Sequence, residues 1–276
     1  MEKYFEYQSV KIFYRIIGKG KPVVLLHGLP VDGNIWNNQI EFLKNNCRLI
    51  VPDLPGSGKS EIVNQSINQP VNQLSTIEFF ADCIYALLQH ENINECIMIG
   101  HSMGGYITLA FTEKHKQILN GFGLVHSTAF ADNEERKENR KRAIEFVEKY
   151  GASAFLKTMI PNLFSSSFKK NHSEKMNAFI EEKKNYSSKS FIQYYVAMMN
   201  RPDRTDVLKN CKKPVLFVMG TEDTAASLND VLQQTQLPEI AYIHILENVA
   251  HMSMWEAPDK LNNFLLQFIN EVNDLH

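Results

Sequence analysis

A chain of 276 residues, 44% of them hydrophobic, is long enough for one large domain with an insertion and can bury an ample core. Its formal net charge of −2, from 29 Lys and Arg against 31 Asp and Glu, carries no footprint for nucleic acid or an anionic membrane. No basic patch followed by an apolar stretch opens the chain, and no apolar run approaches the ~20 residues of a membrane span. A soluble protein of a reducing cytoplasm is therefore expected. Cys47, Cys83, Cys96 and Cys211 are scattered without metal-ligand spacing, and three of them read as buried thiols in or beside apolar segments.

In chain order, residues 4–9 and 10–17 read as an antiparallel hairpin at a sheet edge. Apolar runs at 23–27, 49–52, 96–100, 122–126, 215–220 and 242–246 read as parallel strands. They alternate with helical patterns, as a doubly wound α/β fold requires. Ser75-Thr76-Ile77-Glu78 forms a capping box before a helix whose apolar face is Ile77, Phe80, Ile84, Leu87 and Leu88. The Asn/Gln/Ser-rich stretch 63–73 reads as a surface loop, and Leu261, Phe264, Leu265, Phe268, Ile269 and Val272 mark the face of a last helix starting near Pro258. Between 127 and 206 the strand pattern stops, and helical patterns run through 133–150, 152–159, 173–184 and 188–199. The expected organisation is a core of residues 1–126 and 207–276 with an all-helical cap, 127–206, inserted over it.

The segment richest in chemistry is Gly100-His101-Ser102-Met103-Gly104, a Gly-x-Ser-x-Gly turn between a strand and a helix. Only small residues fit at Gly100 and Gly104 in so tight a turn, which strains Ser102 and exposes its hydroxyl. A serine needs a base to take its proton and a third group to orient that base. In this setting the chain order is Ser, then Asp or Glu, then His. Thr221-Glu222-Asp223 follows the strand ending at Gly220, and His251 lies past the strand ending at Leu246, so the carboxylate and the imidazole come in that order. His27-Gly28-Leu29-Pro30 leaves the carboxyl end of another strand, and the N–H groups of Leu29 and Met103 are placed to form an oxyanion hole.

These landmarks resemble the α/β-hydrolase-fold serine hydrolases that carry a helical cap. The resemblance covers nearly the whole chain and rests on five ordered motifs: His27-Gly28, Asp53 to Ser60, Gly100 to Gly105, Gly220 to Asp223, and His251 to Pro258. Within the family the chain is similar to small carboxylesterases such as the pimeloyl-ester carboxylesterases. The resemblance implies an eight-stranded, mostly parallel sheet and a catalytic set of Ser102, Asp223 and His251. It favours Asp223 over Glu222, as the third residue after Gly220, and leaves Asp132 as the alternative acid. Haloalkane dehalogenases and epoxide hydrolases carry an aspartate where this chain has Ser102, which argues against both reactions.

The expected activity is cleavage of a small carboxylic ester or thioester through an acyl-enzyme, by a monomer or homodimer. The same triad also serves perhydrolases, cofactor-free haloperoxidases, C–C bond hydrolases and lactonases, and a non-catalytic ligand-binding protein is a more distant alternative. Candidate pocket residues are His126, Phe130, Met159, Tyr194 and Met198, drawn from a cap that also offers Phe164, Phe168, Tyr195 and Met199. His101 reads as a packed histidine beside the nucleophile and His27 as a structural one bonded to backbone; His244 reads as structural or surface, and His90, His115, His172 and His276 as surface. Gly56-Ser57-Gly58-Lys59-Ser60 lacks the upstream glycine of a phosphate-binding loop, Asp53 standing in its place, and reads as a turn. No cluster has metal spacing in sequence, and no cofactor is implied.

Overall fold

The computed structural model describes residues 1–62 and 76–275; the loop expected at 63–73, Ser75 and His276 lie outside the described residues. The strands are β1 (Glu2–Tyr7), β2 (Val10–Ile17), β3 (Pro22–Leu26), β4 (Arg48–Pro52), β5 (Cys96–His101), β6 (Leu119–Val125), β7 (Val215–Gly220) and β8 (Ala241–Leu246). They form one eight-stranded sheet in the order β1-β2-β4-β3-β5-β6-β7-β8. β2 pairs antiparallel with β1 and β4, and the remaining neighbours are parallel. Every residue of β5 and β7 is buried, as expected of parallel strands covered on both faces.

The helices are α1 (Asn37–Leu43), α2 (Ile77–His90), α3 (Met103–His115), α4 (Glu134–Tyr150), α5 (Ala152–Met159), α6 (Ser166–Asn171), α7 (Ser173–Glu182), α8 (Ser188–Met199), α9 (Thr205–Lys209), α10 (Leu228–Leu232), α11 (Ser253–Glu256) and α12 (Pro258–Asp274). α4 to α9 fill the connection from β6 to β7, so the strand pattern stops where expected. The cap of α2 differs from expectation by one residue: Thr76 has extended backbone and its hydroxyl accepts from Phe79 N–H at 3.1 Å. β6 starts three residues before the expected 122, because Gly121 and Gly123 interrupt the apolar run without interrupting the strand. Val272 and Phe268 of α12 pack where a side chain at Gly121 would be, which is why that position reads as a break.

The helical connection is anchored by buried charge. Asp132 lies 2.5 Å from Arg140 Nε and 2.9 Å from Arg201 Nη1, with all three side chains largely buried. Burial alone would raise the Asp132 carboxyl; the two guanidiniums outweigh it and hold the group below its ordinary range. Arg201 also covers the Tyr106 ring at 3.9 Å, tying this cluster to α3. Asp132, the alternative triad acid, thus serves two arginines. Asp53 turns the chain after β4: its carboxylate accepts from Gly33 N–H at 2.9 Å and Lys59 N–H at 2.8 Å, which supports the turn reading of the Gly56–Lys59 segment.

Candidate active site

β5 passes into α3 through Ser102, whose backbone sits at φ 53°, ψ −119°. That conformation is costly for a residue with a Cβ, and the neighbours enforce it. A Cβ on Gly100 would lie 2.2 Å from Gly104 O, and one on Gly104 would lie 2.5 Å from Leu26 O. The Ser102 N–H donates to Val125 O at 3.0 Å, while its carbonyl accepts from Ser127 Oγ at 2.7 Å. The hydroxyl itself forms no hydrogen bond among the described residues.

Beside the turn runs the loop after β3. A Cβ on Gly28 would lie 2.8 Å from Ser102 Cβ and 3.3 Å from Met103 N, so the close approach requires glycine. Neither Leu29 N–H nor Met103 N–H donates a backbone hydrogen bond among the described residues. Met103 is the first residue of α3, where an N–H has no intrahelical acceptor. His27 supports this loop, as expected. Its Nε2 accepts from Leu54 N–H at 2.9 Å, so Nδ1 carries the proton and donates to Gly28 O at 2.7 Å. Burial pushes the His27 imidazole below its ordinary pKa and keeps it neutral.

Asp223, three residues past the end of β7, is the point where the loops meet. One carboxylate oxygen, Oδ1, accepts from Ala225 and Ala226 N–H at 2.8 and 2.9 Å. The other, Oδ2, accepts from His251 Nδ1 at 2.9 Å and from His126 Nδ1 at 2.9 Å. Burial works to raise the Asp223 carboxyl, but His251 and His126 overcome it and hold the group far below the usual carboxylate range. The Glu222 carboxylate is turned away: it accepts from Ser166 N–H at 2.9 Å.

His251 is held from both sides. His101 Nε2 donates to the His251 carbonyl at 2.9 Å, and the His251 N–H donates to Leu163 O, just beyond α5, at 3.0 Å. Glu256 accepts from Ala250, Met252 and Ser165 N–H at 3.1, 3.3 and 2.9 Å, clasping the histidine loop to the start of α6. His101 is fully buried and its pKa lies well below the ordinary value, first through burial and then through the neighbouring imidazoles. It is a packed, neutral histidine, as read from sequence.

The structure joins His251 to Asp223 directly and bonds His101, the residue before Ser102, to the His251 carbonyl, with no Ser102–His251 hydrogen bond among the described residues. Catalytic hydrogen bonds are commonly long or misaligned until substrate binds. The pocket candidates divide. Phe130 and Met159 are half-buried, and Met159 Sδ receives the Tyr195 hydroxyl at 3.6 Å. Met198 is buried, its carbonyl held by Arg201. Tyr194 is wholly buried, packs edge-on against Phe80 at 5.3 Å and directs its hydroxyl to Leu54 O at 3.4 Å. The His126 ring has no exposed surface, and its Nδ1 bonds to Asp223 Oδ2 at 2.9 Å. Sequence reading missed that role, along with those of Ser127, Glu222 and Glu256, because each rests on contacts between distant segments.

His126, Asp223 and His251 also place ligand-type atoms within 4.8 Å of one another, a grouping invisible in sequence spacing. Both imidazoles meet the same carboxylate oxygen through Nδ1 at 2.9 Å, so hydrogen bonding accounts for the cluster.

The geometry agrees with known proteins. The chain is 27% identical to an esterase from Thermogutta terrifontis whose structure was solved with malate bound, with a TM-score of 0.89 over 99% of both chains. It is 23% identical to the (E)-2-((N-methylformamido)methylene)succinate hydrolase of Acinetobacter baylyi over 89% of each chain. It is also 23% identical to the 2-hydroxy-6-oxo-6-(2'-aminophenyl)hexa-2,4-dienoic acid hydrolase of Metapseudomonas resinovorans, over 100% of this chain and 93% of that one. The sequence model of the alpha/beta hydrolase fold matches residues 21–258, and with the sheet order and the strained serine turn already established, the chain belongs to the α/β-hydrolase fold family.

Proposed function

We propose that this protein is a serine hydrolase that cleaves a small carboxylic ester or thioester through an acyl-enzyme on Ser102. The observation that carries the reading is the 2.9 Å hydrogen bond from His251 Nδ1 to Asp223 Oδ2. With Nδ1 protonated, the free lone pair of His251 is on Nε2, the atom needed to take the Ser102 proton. Ser102 Oγ attacks the acyl carbon, and the Leu29 and Met103 N–H groups hold the oxyanion. His251 then returns the proton to the leaving alcohol or thiol. Water, deprotonated by the same imidazole, attacks the acyl-enzyme and releases the acid. Asp223 keeps the histidine in the right tautomer and stabilises the imidazolium. Residues 127–206 act as the cap over this site, with Phe130 and Met159 as pocket residues. The likeness to an esterase from Thermogutta terrifontis supports an ester substrate.

A fluorophosphonate probe tests the reading: it should label Ser102 and leave Ser102→Ala unlabelled. An unmodified serine under conditions that label ordinary esterases would overturn it. The dienoic acid hydrolase relative favours C–C bond hydrolysis as a second reading. A panel of activated esters beside a vinylogous 1,5-diketone separates the two by which class turns over.

A further inference from the structure

Asp223 Oδ2 is shared by two imidazoles, yet a Ser-His-Asp mechanism needs only one. His126 stands at the end of β6 with a left-handed backbone, φ 51°, and its N–H donates to Val218 O at 2.8 Å. From there its Nδ1 meets Asp223 Oδ2 at the same 2.9 Å as His251. Its side chain is fully buried and its Nε2 has no partner among the described residues, so the contact with Asp223 is the only hydrogen bond the ring makes. The two rings lie 5.7 Å apart, edge to face, so neither stacks on the other.

We propose that His126 is a positioning residue for the triad: its Nδ1–H pins the rotation of the Asp223 carboxylate and draws electron density from the oxygen that also serves His251. The proposal rests on the serine-hydrolase reading and deepens it. With both Asp223 oxygens already hydrogen-bonded, the carboxylate cannot swing away when His251 becomes an imidazolium. Sharing Oδ2 between two donors also weakens its bond to each, so loss of the His126 donor should tighten the hold of Asp223 on the His251 Nδ1–H. The other titratable groups around the cluster are His101, whose Nε2 is bonded to the His251 carbonyl, and Glu222 and Glu256, whose carboxylates bind backbone N–H groups beside it.

The test compares wild type with His126→Ala, His126→Gly and His126→Asn. Glycine suits the positive φ and guards against a variant that merely misfolds, and asparagine tolerates that backbone and offers an N–H near the Nδ1 position. Two readouts are taken: the pH dependence of kcat/KM on p-nitrophenyl acetate, and the titration of the His251 ring followed by ¹⁵N-histidine NMR. Removing the donor should raise the His251 midpoint by about half a pH unit or more, moving the acidic limb of the rate profile the same way, and His126→Asn should return both toward wild type. An unmoved His251 midpoint in folded His126→Ala and His126→Gly overturns the proposal, whatever happens to rate or stability. NMR needs no turnover. A shifted midpoint in a protein that hydrolyses no ester would defeat the esterase reading while leaving the shared carboxylate intact; a normal esterase with an unmoved midpoint would do the reverse.

Discussion

The ring of His27 donates from Nδ1 to the carbonyl oxygen of the next residue, Gly28, at 2.7 Å, and this one bond fixes the orientation of the peptide that carries the Leu29 N–H. A trans peptide is planar, with C=O and N–H pointing in opposite directions. Holding Gly28 O toward His27 therefore turns the Leu29 N–H the other way. The proton must be on Nδ1, because Leu54 N–H occupies Nε2 at 2.9 Å. His27→Ala should lower kcat on an activated ester about tenfold to a hundredfold with little change in KM, a fraction of the loss of a whole oxyanion donor. His27→Asn, which restores a donor near Nδ1, should recover most of it. Steady-state kinetics on both variants gives the answer.

Asp223→Asn retains the size of the acid but presents an amide N–H or a neutral oxygen to two Nδ1–H donors. With the NH2 toward the rings both imidazoles must flip tautomer or lose their bonds, and with the oxygen there the NH2 faces the Ala225 and Ala226 N–H donors. Turnover should fall by roughly 10³ to 10⁴, while reactivity with a fluorophosphonate is slowed and the circular dichroism spectrum unchanged. Equal turnover in the variant would remove Asp223 from the mechanism.

Stability should fall as the solution is acidified below about pH 6.5, before the carboxylates titrate. His101 is buried with a depressed pKa, so below the unfolded value of about 6.5 the unfolded chain binds a proton that the native state refuses. Its contribution is present above that pH and is lost as pH drops toward the native value. One such group steepens the dependence by at most about 1.4 kcal/mol per pH unit. Urea unfolding from pH 7.5 to 5.5 should show the decline, and His101→Gln, which keeps a donor toward the His251 carbonyl, should make it shallower, leaving the part that buried His27 contributes. Asp223 adds a second phase of the same sign at lower pH. Its native pKa lies far below the unfolded value of about 4, so its contribution is whole above that value and fades beneath it.

Asp132→Asn should destabilise the fold by about 3 to 5 kcal/mol, the usual result of stripping one partner from buried charges. Arg140 and Arg201 would keep two positive charges beside a neutral amide. Thermal unfolding would report the loss, and protection of α4 and α8 against hydrogen exchange should weaken before that of the sheet.

Much of the fold and the core of the site could be read along the chain, for a local reason. Parallel strands buried on both faces are continuous apolar runs, so β3, β4, β5 and β7 stand out, and the serine turn announces itself through glycines that crowding makes obligatory. Where local signals were blurred, the reading slipped: glycines hid the start of β6, and two adjacent hydroxyl residues left Thr76 one place from the expected cap.

By itself the sequence determined the strand and helix pattern, the strained position of Ser102 and the order of acid and base behind it, because each depends on neighbours within a few residues. Only the tertiary structure decided that Tyr194 is packing, that Asp132 belongs to two arginines and that Asp223 serves two histidines. His126 and Asp223 are 97 residues apart, and Asp223 and His251 are 28 apart. A hydrogen bond falls off within an ångström, so which polar groups become partners is settled when the sheet brings the ends of β6, β7 and β8 side by side.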